Sequence, residues 1–72
     1  MNMRLRAARE KSGKTQAQVA KESGVSVISY QLYEYGKREP SASIAIQIAK
    51  SLDSTVESLF TKKNTIENPN SQ

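Results

Sequence analysis

The apolar residues of the chain recur in short blocks with the three-to-four-residue spacing of an amphipathic helix. In the first block Leu5 and Ala8 keep this spacing, with Arg9 beside them. Gly13 follows, a residue that readily ends a helix in the left-handed conformation. The pattern predicts a first helix over residues 3–12. Because no segment alternates apolar and polar residues as a strand does, the fold class we predict is all-α.

A capping box marks the start of a second helix. Thr15 is followed three residues later by Gln18, so the threonine hydroxyl can accept the Gln18 backbone N–H while the Gln18 amide reaches back to Thr15. Gly24 ends this helix after about two turns. Its narrow inner face consists of Val19, Ala20 and Ser23.

The third predicted helix begins after a serine cap. Ser26 precedes a helix over about residues 27–35, and Gly36 ends it. The segment 37–40 is a polar loop, because Pro40 disfavours helical backbone at the residue before it.

Two further helices complete the predicted fold. Ser41 caps a fourth helix over about residues 42–52, and either Ser54 or Thr55 caps a short fifth helix that ends at Phe60. Residues 61–72 show no periodicity, so we expect a disordered tail there. The predicted architecture is a compact five-helix domain over residues 1–60. On its fourth helix Ala42, Ala45, Ile48, Ala49 and Leu52 lie on one stripe, and Ile44 and Ile46 widen the apolar surface.

Composition excludes several classes of function. The 72 residues include no Cys and no His, which removes disulfides, thiolate and imidazole metal sites, and Ser-His or Cys-His catalysis. No Gly-rich phosphate loop and no cluster of carboxylates is present, so we predict neither an enzyme nor a cofactor or metal. No apolar run approaches the ~18 residues of a membrane span, and the N-terminus lacks the apolar core of a signal peptide, so the expected location is the cytoplasm.

The positive charge is concentrated in the first half of the chain. Residues 1–40 hold eight basic and four acidic side chains, whereas residues 41–72 hold three of each, so the net charge of +4 belongs to the first half. This asymmetry suggests that one half faces a polyanion, although a charge of this size also serves solubility alone.

Two short helices joined by a Gly-containing turn in this basic half suggest a helix-turn-helix unit over about residues 15–35. Such a unit needs an abrupt turn, which Gly24 provides, and a small residue where the helices cross, which Ala20 provides. It also needs apolar anchors for the second helix. Val25, Tyr30 and Tyr33 fill that role.

With these features the chain resembles the Xre/lambda-repressor-like helix-turn-helix family of bacterial and phage transcription regulators. The resemblance covers about residues 3–60 without insertion or deletion. It implies a five-helix fold that binds operator DNA with the third helix in the major groove, often as a dimer. The motifs that carry it are Thr15-Gln16, Val19-Ala20, Ser23 to Ser26, Glu34 to Ser41, Ile48 to Leu52 and Leu59-Phe60.

The resemblance also implies roles for individual residues. Gln16 and Tyr35 correspond to positions that contact DNA phosphates, and Lys37 and Arg38 lie in the loop that follows the DNA backbone. The alternatives are a helix-forming residue beside the cap for Gln16 and a solvated turn for the two cations. Arg9 and Glu34 correspond to a buried ion pair, whose alternative is two unrelated surface charges.

The residues expected to contact base edges are Ser26, Val27, Ile28, Gln31 and Leu32. Only the serine and the glutamine can form hydrogen bonds with a base. The other three are apolar where the family usually has polar side chains. Aliphatic side chains can contact thymine methyl groups, so a thymine-containing site is compatible with them. An exposed apolar stripe equally suits a protein-binding surface.

Two functions of different classes follow. The first is a sequence-specific DNA-binding regulator, most simply a repressor. The second is a protein-interaction module on the same fold, such as an antitoxin or anti-repressor, that binds a partner through the apolar stripe.

We further expect a homodimer through the fourth and fifth helices. Ile46 and Phe60 would otherwise expose apolar surface, unless they complete the core of the monomer. We expect the tail to be dispensable for DNA binding.

Overall fold

The computed structural model describes residues 1–60 as five α-helices. The expectations for the tail fall on residues 61–72 and lie outside this described part. Within residues 1–60, none of the helices has the length and apolarity that crossing a membrane requires. The helices are α1 (Met3–Ser12), α2 (Gln16–Ser23), α3 (Val27–Tyr35), α4 (Ala42–Ser51) and α5 (Val56–Phe60).

The all-α, five-helix prediction is confirmed, and the helix starts follow the predicted caps. The capping box is complete, with the Gln18 backbone N–H donating to Thr15 Oγ1 at 3.1 Å and the Thr15 N–H donating to Gln18 Oε1 at 2.7 Å. Of the two candidates for α5, Thr55 is the cap, since its hydroxyl accepts the Ser58 N–H at 3.0 Å. The predicted end of α4 was one residue too long, because Leu52 is its C-cap.

One small core holds the helices together. Side chains from every helix contribute, and Leu5, Val19, Tyr30 and Ile48 are fully buried in it. Val25 and Phe60 are only partly buried but pack against the same core. Burial of each large apolar side chain contributes roughly 1.5–3 kcal/mol, which is a large share of the stability of a domain this small.

Asn2 fixes three helices at one point. Its side-chain oxygen caps α1 by accepting the Leu5 N–H at 3.0 Å, and its amide nitrogen donates to the Leu59 carbonyl of α5 at 2.9 Å. Its backbone N–H donates to the Glu34 carbonyl near the end of α3 at 2.7 Å. The C-terminal end of α3 is therefore held by the N-terminus of the chain, a contact that the sequence pattern did not indicate.

Candidate nucleic-acid interface

The turn between α2 and α3 has the sharp geometry that the sequence predicts. Gly24 lies in the left-handed region with φ +76°, which is unfavourable for residues with a side chain. The next N–H, that of Val25, donates to the Ala20 carbonyl at 3.0 Å and closes the end of α2. The Ser26 hydroxyl then accepts the Ser29 N–H at 3.0 Å and starts α3. Two adjacent caps thus set α3 against α2.

The solvent-facing side of α3 is mainly aliphatic. Ile28 is 70% exposed and Val27 is 40% exposed, so both present carbon surface to the outside. Leu32 is only half-buried rather than exposed, because it lies nearer the inner face. The apolar stripe is therefore narrower than the sequence pattern indicates, and its exposed part is the first turn of the helix.

The two polar candidates on α3 are in different situations. The Ser26 hydroxyl caps the helix and also donates to Ser29 Oγ at 3.0 Å, so its hydrogen is already engaged. Gln31 is half-buried, and one of its amide hydrogens is donated to Gln16 Oε1 at 3.0 Å. Its oxygen and second N–H have no such bond among the described residues. Of these two residues, Gln31 is thus the more available to a ligand.

Two exposed cations follow the end of α3. The Gly36 N–H and the Lys37 N–H both donate back to the last turn, the latter to the Leu32 carbonyl at 2.9 Å. This cap turns the chain so that Lys37 and Arg38 lie exposed directly beyond the helix. Tyr35, on the last turn, is 42% exposed. A phenol and two cations near the end of α3 are groups that bind phosphate oxygens.

Gly36 also makes close contact with the start of the chain. A Cβ at this position would lie 3.2 Å from the Met1 nitrogen, and its φ of +77° already disfavours other residues. The turn that places Lys37 and Arg38 therefore requires glycine for both its conformation and the space that it leaves.

Behind the exposed face of α3, a buried carboxylate joins three helices. Glu34 has a side chain that is only 2% exposed, and the Nε of Arg9 donates to its Oε2 at 2.6 Å. Arg9, on α1, and Glu34 therefore form the ion pair that the resemblance implies. The Nη2 of Arg9 also donates to Oε1 at 3.3 Å. The buried Tyr30 hydroxyl donates to Oε2 at 2.7 Å, and Gln16 Nε2 of α2 donates to Oε1 at 3.1 Å.

These contacts determine the charge state of the site. Burial by itself would raise the pKa of the Glu34 carboxyl, but the hydrogen bonds from Arg9, Tyr30 and Gln16 together with the Arg9 charge outweigh it, and the pKa lies below its ordinary value. The hydrogen bond to Glu34 in turn raises the pKa of Arg9. Burial and the neighbouring carboxylate raise the pKa of the Tyr30 hydroxyl. Glu34 is therefore ionised and Tyr30 neutral at neutral pH.

Comparison with known proteins identifies the family of this chain. A family model described as helix-turn-helix matches residues 5–59, which is most of the chain. The chain belongs to this family. Its motifs are those of the Xre/lambda-repressor-like helix-turn-helix proteins, as the sequence indicates.

A curated relative of this helix-turn-helix protein is the cryptic phage CTXphi transcriptional repressor RstR of Vibrio cholerae serotype O1. The two are 38% identical over 65 residues, which cover 90% of the present chain and 58% of the repressor. The helix-turn-helix protein thus spans somewhat more than half the length of that relative. No solved structure matches it significantly.

Besides Asn2, three side chains of the helix-turn-helix protein make contacts that sequence reasoning missed. Tyr30 was expected only as an apolar anchor, yet its hydroxyl binds Glu34. Gln16 was expected at a phosphate, yet its side chain joins Glu34 to Gln31. Lys14, on the turn before α2, binds both Glu22 Oε1 and the Ser51 carbonyl at 2.7 Å. The one available signal was the polar end of Tyr30 at a core position, because a buried hydroxyl requires a partner.

Proposed function

We propose that this helix-turn-helix protein is a repressor that binds operator DNA with α3 in the major groove and acts in the cytoplasm. The observation that carries the proposal is the composition of the α3 surface. Exposed Val27 and Ile28 and the available amide of Gln31 occupy its outer face, and exposed Lys37 and Arg38 follow its end. The side chains on the outer face of α3 can contact base edges in the groove, and the cations after the helix can contact the flanking phosphates.

The proposed contacts fall into two groups. Val27 and Ile28 contact thymine methyl groups, Gln31 binds adenine, and Ser26 and Leu32 lie at the edges of the same surface. The groups proposed to bind phosphate are Tyr35, Lys37 and Arg38. Gln16, which the resemblance places at a phosphate, instead has its amide nitrogen bonded to Glu34 and its amide oxygen bonded to Gln31.

Salt dependence tests the nucleic-acid interface. Affinity for a nonspecific duplex should fall steeply as salt rises, with log K decreasing ~0.9 for each phosphate neutralised per unit of log salt. Lys37→Ala should reduce this slope by about one unit. The matched control is Lys50→Ala, which removes the same charge from an exposed position on α4 and should leave the slope unchanged. Weak binding that does not respond to salt would favour the protein-interaction module instead.

We also propose that the protein is a homodimer through α4 and α5. Ile46 is 45% exposed and is not part of the core, whereas Phe60 packs partly against the core. Of the two residues expected at an interface, Ile46 therefore has the apolar surface that a second copy would cover. A two-fold dimer would place two α3 helices about one DNA turn apart, ~34 Å.

Sedimentation of the protein at micromolar concentration should show a dimer. Ile46→Ser should raise the dissociation constant at least about tenfold (~1.4 kcal/mol), because a two-fold interface loses the side chain twice. Gln47→Ser, an exposed neighbour on the same helix, should leave it unchanged. A monomer both in solution and on DNA would contradict the proposed dimer.

A further inference from the structure

A chain of hydrogen bonds connects the buried ion pair to the outer face of α3. Gln16 Nε2 donates to Glu34 Oε1 at 3.1 Å, and Gln31 Nε2 donates to Gln16 Oε1 at 3.0 Å. We refer to these three side chains as the Glu34–Gln16–Gln31 chain. It begins at a carboxylate that is almost fully buried and ends at a half-buried amide on the proposed DNA-contacting helix.

The direction of this chain is fixed by chemistry. An ionised carboxylate only accepts hydrogen bonds, so Gln16 must turn its nitrogen toward Glu34. The Gln16 oxygen then faces Gln31, and the Gln31 amide nitrogen donates a hydrogen bond to it. The reversed orientation of the Gln31 amide would place two oxygen atoms against each other. The lowered pKa of Glu34 keeps the carboxylate ionised at neutral pH.

The carboxylate is itself held in one position. Its two oxygens accept four hydrogen bonds, two from Arg9 and one each from Tyr30 and Gln16. A carboxylate offers about four acceptor positions, so Glu34 is saturated and cannot rotate without breaking buried contacts. The first member of the chain is therefore rigid.

The consequence for Gln31 is a defined outward surface. With one N–H committed to Gln16, the amide presents its oxygen and one remaining N–H. In the major groove adenine offers an N6–H donor and an N7 acceptor, which match this pair of groups, whereas guanine offers two acceptors at N7 and O6. A freely rotating amide could donate both of its N–H groups to the two guanine acceptors, whereas the bonded amide has only one N–H left to donate.

We propose that Gln16 is a positioning residue that fixes the amide of Gln31 through Glu34 and so selects adenine over guanine at the base pair that Gln31 contacts. This inference rests on the proposed function, that α3 enters the major groove. It assigns to Gln16 a task different from phosphate contact, and it makes part of the sequence preference depend on side chains that do not touch the base.

The first experiment needs no DNA. Nuclear magnetic relaxation of the 72-residue chain measures the order parameter of the Gln31 side-chain amide. It should approach the rigid value of about 0.85 in the unaltered protein and fall below about 0.6 in Gln16→Met, which keeps the side-chain length but cannot accept the bond. The exposed Gln47 amide gives a mobile reference in the same spectrum. A Gln31 amide as mobile as that of Gln47 in the unaltered protein overturns the inference.

The second experiment measures binding to a selected site in which each base pair is varied in turn. The base pair contacted by Gln31 is the one whose preference disappears in Gln31→Met. There the unaltered protein should prefer adenine over guanine about fivefold or more, and Gln16→Met should remove most of this preference. In the Gln31→Met background, Gln16→Met should change the preference no further. Gln47→Met is the matched control and should leave it intact.

The outcomes separate this inference from the proposed function. If Gln16→Met weakens binding to all sequences equally, Gln16 contacts phosphate and the inference is wrong while the proposed function stands. If the unaltered protein shows no base preference at all, both fail, and the order parameter still shows whether the amide is held as inferred.

Discussion

Glu34→Gln is expected to lower the free energy of unfolding by about 3–5 kcal/mol, because it leaves Arg9 without its buried counter-charge. The Arg9 side chain is only 14% exposed, so water replaces the lost partner poorly. A single domain is stabilised by about 5–15 kcal/mol in total, so this one change removes a large part of the margin. Denaturant unfolding of Glu34→Gln, Arg9→Met and the double variant measures it.

The double variant separates a pair from two independent charges. If the two side chains interact, the loss in the double variant is smaller than the sum of the single losses. The control cycle uses Arg6→Met and Glu10→Gln, an exposed ion pair one turn apart on α1 at 3.1 Å. Such pairs contribute about 0.3–0.5 kcal/mol, so that cycle should show little coupling. Strictly additive losses for Arg9 and Glu34 would contradict a stabilising pair.

The same pair predicts how stability depends on acidity. Because the folded-state pKa of Glu34 is lowered, its contribution is complete above the unfolded value of about 4.3 and is lost as the pH falls through the lower folded value. As the pH falls from about 4.3 to the folded-state pKa, the unaltered protein should therefore lose stability more steeply than Glu34→Gln, which has no carboxyl at this position to protonate.

The second large effect concerns DNA sequence preference. Val27→Ala and Ile28→Ala are expected to weaken binding to the preferred site by about 1–3 kcal/mol for each lost base contact. The base preference should change only at the base pairs that these two side chains contact. The thymine methyl groups that these side chains cover would lose their apolar partner. Because Ile28 is 70% exposed, its truncation leaves the core intact, so a loss of affinity is not a loss of folding.

Binding to a library of randomised duplexes measures this preference. Met3→Ala is the control, since it truncates an exposed apolar side chain on α1 instead of α3. Lys37→Ala should instead weaken binding to all duplexes about equally. Unchanged affinity and preference after alanine replacement at 27, 28 and 32 would show that this stripe does not contact bases, and a protein partner would then be its occupant.

Local signals in the sequence determined the helices and their order. The Thr15–Gln18 box, the serine caps and the three glycines act within one turn of backbone, so they depend little on the rest of the fold. The side chains of Leu5, Val19 and Ile48 were placed in the core for the same reason, since helical periodicity alone puts them on inner faces. The pairing of Arg9 with Glu34 was given only by resemblance to a family, because no local pattern relates residues that are 25 positions apart.

Only the tertiary structure decided which polar side chains meet. Tyr30, Gln16 and Gln31 can each adopt several rotamers and bond to several partners. The partner that each one binds depends on the distance between helices and on the position of the buried Glu34 carboxylate. The contact of Asn2 with α3 and α5 likewise depends on where the ends of three helices come together. The sequence determined the helices and their order, whereas the hydrogen bonds between helices required their packing, because such bonds depend on distances of a few ångströms between residues far apart in the chain.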